Sequence, residues 1–423
     1  MTNVKVSANF SDHLCYGMKN KQFWITTSLV NLCIVALLGF TLRSKILFPL
    51  NFINYGNLIN AHSHFAFGGW LTLAFLNLFT HTLVPLPYQQ RAWYQWMLWG
   101  MFFTAVGMLF SFPFQGYGPI AIIFSTLFIF FTYGYSWVFI KDILTVKNRP
   151  PAYILAFVSI ICLVISSAGP FTLAYLMASK SGNAILFKDA IYFYLHFQYN
   201  GFFTLAVFAM LFFAANTTGL PNKVPVITKW FTWLLCASVL PSFFLTLLWH
   251  SGNWERTLAI LGAVLIIGCL ICLFKVGSTF PIRHIYRSLI ARWLWFLALF
   301  SFVIKSLLQT GTLFPGLGNA VFGLRPVIIG FLHLVFLGLC TFYILSNYIS
   351  TGAFTIEKRF VRSAIFVFAG AVIFQETILL IQGVGLLLGN ASPIYNWLLW
   401  LAAIGLFVGS FMLVVARLKS REG

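Results

Sequence analysis

Residues 326–350 read PVIIGFLHLVFLGLCTFYILSNYIS. The run carries no charged side chain, and its one imidazole is His333. A bilayer core takes about 20 apolar residues as a helix. Backbone N–H and C=O groups in lipid must be satisfied within the segment, so such a run is a transmembrane α-helix. An ionisable group inside one is costly and marks a candidate functional residue.

Read outward from this run, the pattern recurs along the chain. Apolar runs predict spans at 23–42, 58–84, 94–113, 118–140, 152–178, 189–215, 227–250, 255–275, 291–310, 326–350, 363–387 and 394–416. Proline marks the joints, at Pro85, Pro87, Pro150, Pro151, Pro221, Pro281, Pro315 and Pro326. The expected fold is an all-α polytopic membrane protein, with twelve transmembrane helices in three pseudo-symmetric four-helix arcs. Its 423 residues form one membrane domain: a cytoplasmic segment 1–22, a bundle 23–416 and a cytoplasmic tail 417–423. Residues 1–22 are polar, so the first apolar run reads as a retained span and not a cleaved leader.

Composition agrees. Charged residues make up 8% of the chain, where a soluble domain carries roughly a quarter. With so little charge the surface has to face lipid. The net charge of +19 does not indicate nucleic acid, because Lys and Arg sit in short loops between apolar runs. Nineteen lie at the N-terminus, in alternate loops and at the C-terminus; six lie on the other side, and Lys305 falls inside a span. The excess marks the cytoplasmic side and places both termini there, in a bacterial inner membrane. Cysteines are scattered, and most, including Cys269 and Cys272, read as small apolar residues within spans.

Histidine carries the functional signal. Span 2 holds NAHSHFAFGGW (60–70), span 6 holds YLHFQYNGFF (194–203), span 10 holds FLHLVFLG (331–338), and span 7 ends in WHSG (249–252). His64, His196 and His333 are 132 and 137 residues apart, each about seven residues into its span and followed by glycine. Even-numbered spans run in one direction, so these imidazoles share a depth, about 10 Å below the outer surface at 1.5 Å per residue. His250 is expected to reach the same layer from span 7. His62 and His64 are about 200° apart on a helix and face opposite sides. His13, His81 and His284 lie at ends or in loops and read as solvated. Neutral imidazole is an axial haem ligand that needs no compensating charge. Gly68, Gly69, Gly201 and Gly338 would leave room for a flat macrocycle, and Arg325, at the mouth of span 10, would meet its propionates.

In these motifs the chain resembles the catalytic subunit of the haem–copper oxidase superfamily, nearest the C-type oxidase and nitric oxide reductase branch. The resemblance implies one or two haem b groups, and copper in addition. It implies His64 and His333 as axial ligands, with His62 also at a cofactor, and His196 and His250 as copper ligands. A rotated arrangement pairing His64 with His196 is also open. The sequence departs from that family where Trp249 precedes His250 and where span 10 has a single histidine. The span 2 H-x-H run is also similar to the NnrS family, haem and copper proteins associated with nitric oxide stress.

The resemblance implies reduction of dioxygen or nitric oxide, which consumes protons. Glu376 and Lys305, the carboxylate and the cation deep in spans 11 and 9, read either as proton relays or as a structural pair, and Tyr199 and Gln198, near His196, either as assisting groups or as interhelical hydrogen bonders. Electrons would come from a donor subunit, a cytochrome or quinol. The alternatives are an NnrS-like haem or copper protein without respiratory turnover, and a cofactor-free transporter.

Overall fold

The computed structural model describes the backbone of residues 3–217 and 226–421, and the side chains of 20–217, 226–277, 280–319 and 323–421. The joint expected at Pro221 and the side chains of His13 and Cys15 lie outside these. Among the described residues all regular structure is helical. Twelve long helices follow one another: α1 (Asn3–Leu47), α2 (55–82), α3 (Ala92–Gln115), α4 (Pro119–Ile143), α5 (Pro151–Ala178), α6 (Ala184–Thr217), α7 (Val226–Thr246), α8 (Asn253–Thr279), α9 (Leu289–Gly311), α10 (Arg325–Ser350), α11 (Arg359–Leu387) and α12 (Ile394–Arg421). By length and composition, eleven are fit to cross a membrane. The exception is α2, which is long enough but carries His62, His64, His81 and three asparagines. The chain is an all-α polytopic membrane protein. Large apolar side chains such as Phe103, Trp137, Phe274, Phe300 and Phe366 stand exposed along the helices, as a lipid-facing surface requires.

Local chemistry explains the boundaries. The side chains of Asn54 and Asn183 each accept an N–H from the first turn of α2 and α6, both at 3.0 Å. Pro119 and Pro151 open α4 and α5, where a missing N–H costs nothing. Gly116, at φ +58°, closes α3. Inside the helices proline interrupts the ladder. The α5 helix breaks at Ser167, three residues before Pro170. Downstream of Pro241, α7 tightens into a 3₁₀ turn over Phe244–Thr246 and ends. It therefore stops short of the predicted 250.

Contacts divide the chain into two compact units, Met1–Val146 with Asn347–Ile378 and Ser392–Gly423, and Lys147–Ser346 with Leu379–Ala391. In the first, α2 lies against α1 and α3, and α3 pairs with α4. The α12 helix packs on α1, where buried Arg417 donates to the Ala353 carbonyl (2.7 Å) and to Thr26 and Gln22 of α1. Buried Asp142 is held by Arg91 and by the Tyr94 hydroxyl. In the second unit α5 packs on α6, α7 on α8, and α9 on α10. Phe208 of α6 stands at the centre, 4.8 Å from the rings of both Phe231 and Phe302.

Candidate functional site

The three motif histidines occupy one structural position. His64, His196 and His333 are each the last α-helical residue before a widened π-helical stretch, over Phe65–Thr72, Phe197–Phe203 and Leu334–Thr341. Such stretches are rare and concentrate at functional sites. Aligned on their histidines, the segments share more than glycine. An aromatic ring stands three residues on (Phe67, Tyr199, Phe336), glycine five on (Gly69, Gly201, Gly338) and threonine eight on (Thr72, Thr204, Thr341). The threonines explain themselves. Thr204 Oγ1 donates to the Tyr199 carbonyl (2.5 Å), and Thr341 Oγ1 to the Phe336 carbonyl (2.7 Å), each five residues back. The hydroxyl thus satisfies a carbonyl within the widened turn. The glycines admit the preceding helix: a Cβ on Gly201 would strike Cys162 of α5, and one on Gly338 would strike Ser301 of α9. Polar side chains from the preceding helices also reach these turns. Asn31 of α1 donates to the Gly69 carbonyl, and Ser159 of α5 to the Phe202 carbonyl (2.8 Å).

On α1 this contact belongs to a stripe. Asn31, Val35, Gly39 and Arg43 recur every four residues and so share one helix face. His62 Nδ1 donates to the Val35 carbonyl at 3.1 Å. A Cβ on Gly39 would lie 3.3 Å from His62 Cε1. Arg43, a turn further along, is within electrostatic reach of the same ring. A carbonyl only accepts, so this bond places the His62 proton on Nδ1 and leaves the Nε2 lone pair for a ligand. Backbone-bonded imidazoles of this kind are the usual metal-binding form.

His64 looks the other way, as the spacing predicts. Its ring stacks on Phe112 at 4.5 Å, and Nε2 is 3.0 Å from the Tyr117 hydroxyl.

His196 is saturated and fully buried. Nε2 donates to the Val239 carbonyl at 2.7 Å, and Nδ1 accepts from the Asn200 amide at 3.1 Å. A metal could bind either nitrogen only by displacing one of these bonds.

His250 does not join the histidine layer. Because α7 ends early, it lies in the connection to α8 and pairs with Asp189 at 2.9 Å. Asp189 precedes His196 by seven residues on α6, about 10 Å along the helix. His196 and His250 therefore engage different partners at different heights. Among the described residues no three His, Cys, Asp or Glu side chains are grouped to hold a metal ion.

The remaining candidates are scattered. His333 is half-buried, and Arg325 begins α10. Tyr199 is buried with its ring 5.4 Å from Phe331, and Gln198 donates to Ser166 of α5 at 2.9 Å, an interhelical bond. Lys305 is buried in the second unit, its Nζ 5.5 Å from the Phe302 ring, with Cys269 and Cys340 within electrostatic reach. Glu376 Oε1 is buried in the first unit without a hydrogen-bond partner. His81, expected in solvent, instead has a buried Nε2 and lines a cavity with Asn20, Gln89, Gln90 and Gln95. His284 is exposed, as expected.

Sequence reasoning missed the threonines and the α1 stripe. Aligning spans 2, 6 and 10 on their histidines exposes the first, and four-residue periodicity in span 1 exposes the second. No protein family's profile matches this chain, and no curated protein matches it either.

Proposed function

We propose that the chain is a membrane haem-binding redox protein, with His62 of α2 as an axial ligand of haem b. The observation that carries the reading is the His62–Val35 bond, which fixes the tautomer a metal ligand needs. The surroundings fit the same group. Gly39 leaves space at the ring edge, and Arg43 is a cation suited to a propionate. On this reading the axial role expected of His64 passes to its neighbour two residues back. His196 fits a ligand role poorly, which disfavours the rotated His64–His196 arrangement, and becomes the structural member of the histidine set.

When bound, such a group would carry single electrons inside the membrane. The chain's part would be to hold the His62 imidazole neutral and oriented through Val35, and to balance the carboxylates with arginine. The residues expected to hold copper do not converge, so a binuclear gas-reducing centre has little support. We therefore favour haem chemistry without respiratory turnover, of the NnrS-like kind, with dioxygen or nitric oxide as the ligand class and a quinol or cytochrome as electron source.

The test is a reduced-minus-oxidised spectrum and pyridine haemochrome assay on purified protein and single variants. His62→Ala is expected to lose the haem spectrum. His64→Ala and His196→Ala are expected to keep it. Haem retained in full by His62→Ala would reject the assignment, and a wild type free of haem would reject the function.

A further inference from the structure

A second site lies in the unit built on α5–α10, where the connection from α8 to α9 folds over α6. There a cavity of about 620 Å³ is bounded by Arg283, His284 and Arg292, with Trp293, Phe212 and Phe280 among its apolar walls. We propose that this cavity binds an anionic phosphate-bearing amphiphile, its phosphate on the two arginines and its chain along the apolar wall.

Three observations support the assignment. The first is unanswered charge. Arg292 Nε is buried without a hydrogen-bond partner, and neither arginine forms an ion pair among the described residues. A guanidinium Nε buried without a partner is costly, and a phosphate is the ligand the planar fork matches. The second is the placement of acids. Between Glu255 and Glu357 the sequence has no Asp or Glu. The described acids of this unit are Asp189, paired with His250, and Glu255, in the first turn of α8. Both stand at the start of α8, whereas the cavity lies at its far end, about 30 Å away at 1.5 Å per residue. Nothing within the unit can neutralise the arginines there.

The third observation is depth. Arg283 and His284 belong to the short connecting segment, and Arg292 is in the first turn of α9. Deeper in, the wall is apolar, formed by side chains such as Leu273, Val276 and Leu299. Trp293 is exposed at the same level, where indole rings prefer the headgroup boundary. Polar cations above an apolar slot match a molecule with a charged head and a hydrocarbon chain. A free anion would use only the upper half. Basic pockets between helices at this boundary recognise anionic lipid headgroups.

The experiment compares thermal unfolding and native mass spectrometry of the full chain in nanodiscs. One set contains phosphatidylcholine alone, the other a four-to-one mixture with phosphatidylglycerol, and a third arm adds inorganic phosphate to the first. Bound phosphatidylglycerol and a raised midpoint are expected only in the mixture. Arg283→Gln with Arg292→Gln should weaken retention roughly thirtyfold, as two interfacial arginines would. Arg287→Gln, in the same connection but outside the cavity wall, is the folding control and should retain wild-type binding. Equal retention by the double variant overturns the proposal. So does equal stabilisation by inorganic phosphate, which would assign the site to a free anion.

Discussion

His62 Nδ1 stands 3.1 Å from the Val35 carbonyl, and this one bond decides which of the ring's nitrogens faces outward. Because Val35, Gly39 and Arg43 share a face of α1, the imidazole is oriented, given room and placed near a cation by a single neighbouring helix.

Gly39 is the most direct probe of that arrangement. A Cβ there meets His62 Cε1 at 3.3 Å, a contact the ring can relieve by a small tilt. Gly39→Ala is expected to be nearly silent. Gly39→Leu should displace the ring and lower haem content several-fold, at a packing cost of about 1–3 kcal/mol. Haemochrome per mole of monodisperse protein measures it. Unchanged haem content in Gly39→Leu would separate His62 from the cofactor.

A different outcome is expected at His196. Asn200→Leu leaves Nδ1 of a fully buried ring without a donor, at a cost of about 1–3 kcal/mol. Thermal midpoints should fall while the haem spectrum of the surviving protein stays that of wild type. A spectral change without loss of stability would return His196 to the ligand set.

The threonines of the widened turns make a third prediction. Thr204→Val and Thr341→Val keep the volume but leave the carbonyls of Tyr199 and Phe336 short of a donor. Each is expected to cost about 1–2 kcal/mol, with Thr→Ser restoring most of it. Hydrogen exchange read at the peptides after His196 and His333 should rise in the valine variants alone. If valine and serine variants exchange alike, the hydroxyl has no part in holding the turn.

How far the sequence could reach follows from what each feature depends on. Helix positions follow from apolar runs and proline joints, and most match to within a few residues; α1 is the exception, its helix starting at Asn3 well before the expected 23, and α2 is not apolar enough to count as a span. The equivalence of His64, His196 and His333 follows from repeated spacing, and the repeated widened turns bear it out. What spacing does not encode is the partner of each nitrogen. The Val239 carbonyl that saturates His196 and the Val35 carbonyl that orients His62 are backbone atoms of neighbouring helices, silent in side-chain patterns. The early end of α7 was visible as Pro241, but the apolar run through Leu248 concealed it. The pairing of His250 with Asp189 follows from that end.

Lys305 offers a direct test of the proton-relay expectation. Lys305 lies over the Phe302 ring, with the thiols of Cys269 and Cys340 and the His196 imidazole within electrostatic reach, and the His196 nitrogens are already bonded to Val239 and Asn200. No ion pair forms on it within its unit among the described residues. A buried charge without an ion-pair partner carries a desolvation penalty that an apolar side chain of similar volume does not. Lys305→Met is therefore expected to raise the thermal midpoint and to leave the haem spectrum and its rate of reduction by a quinol unchanged. A fall in that rate in a more stable protein would show that the amine carries protons, and would restore Lys305 to the chemistry.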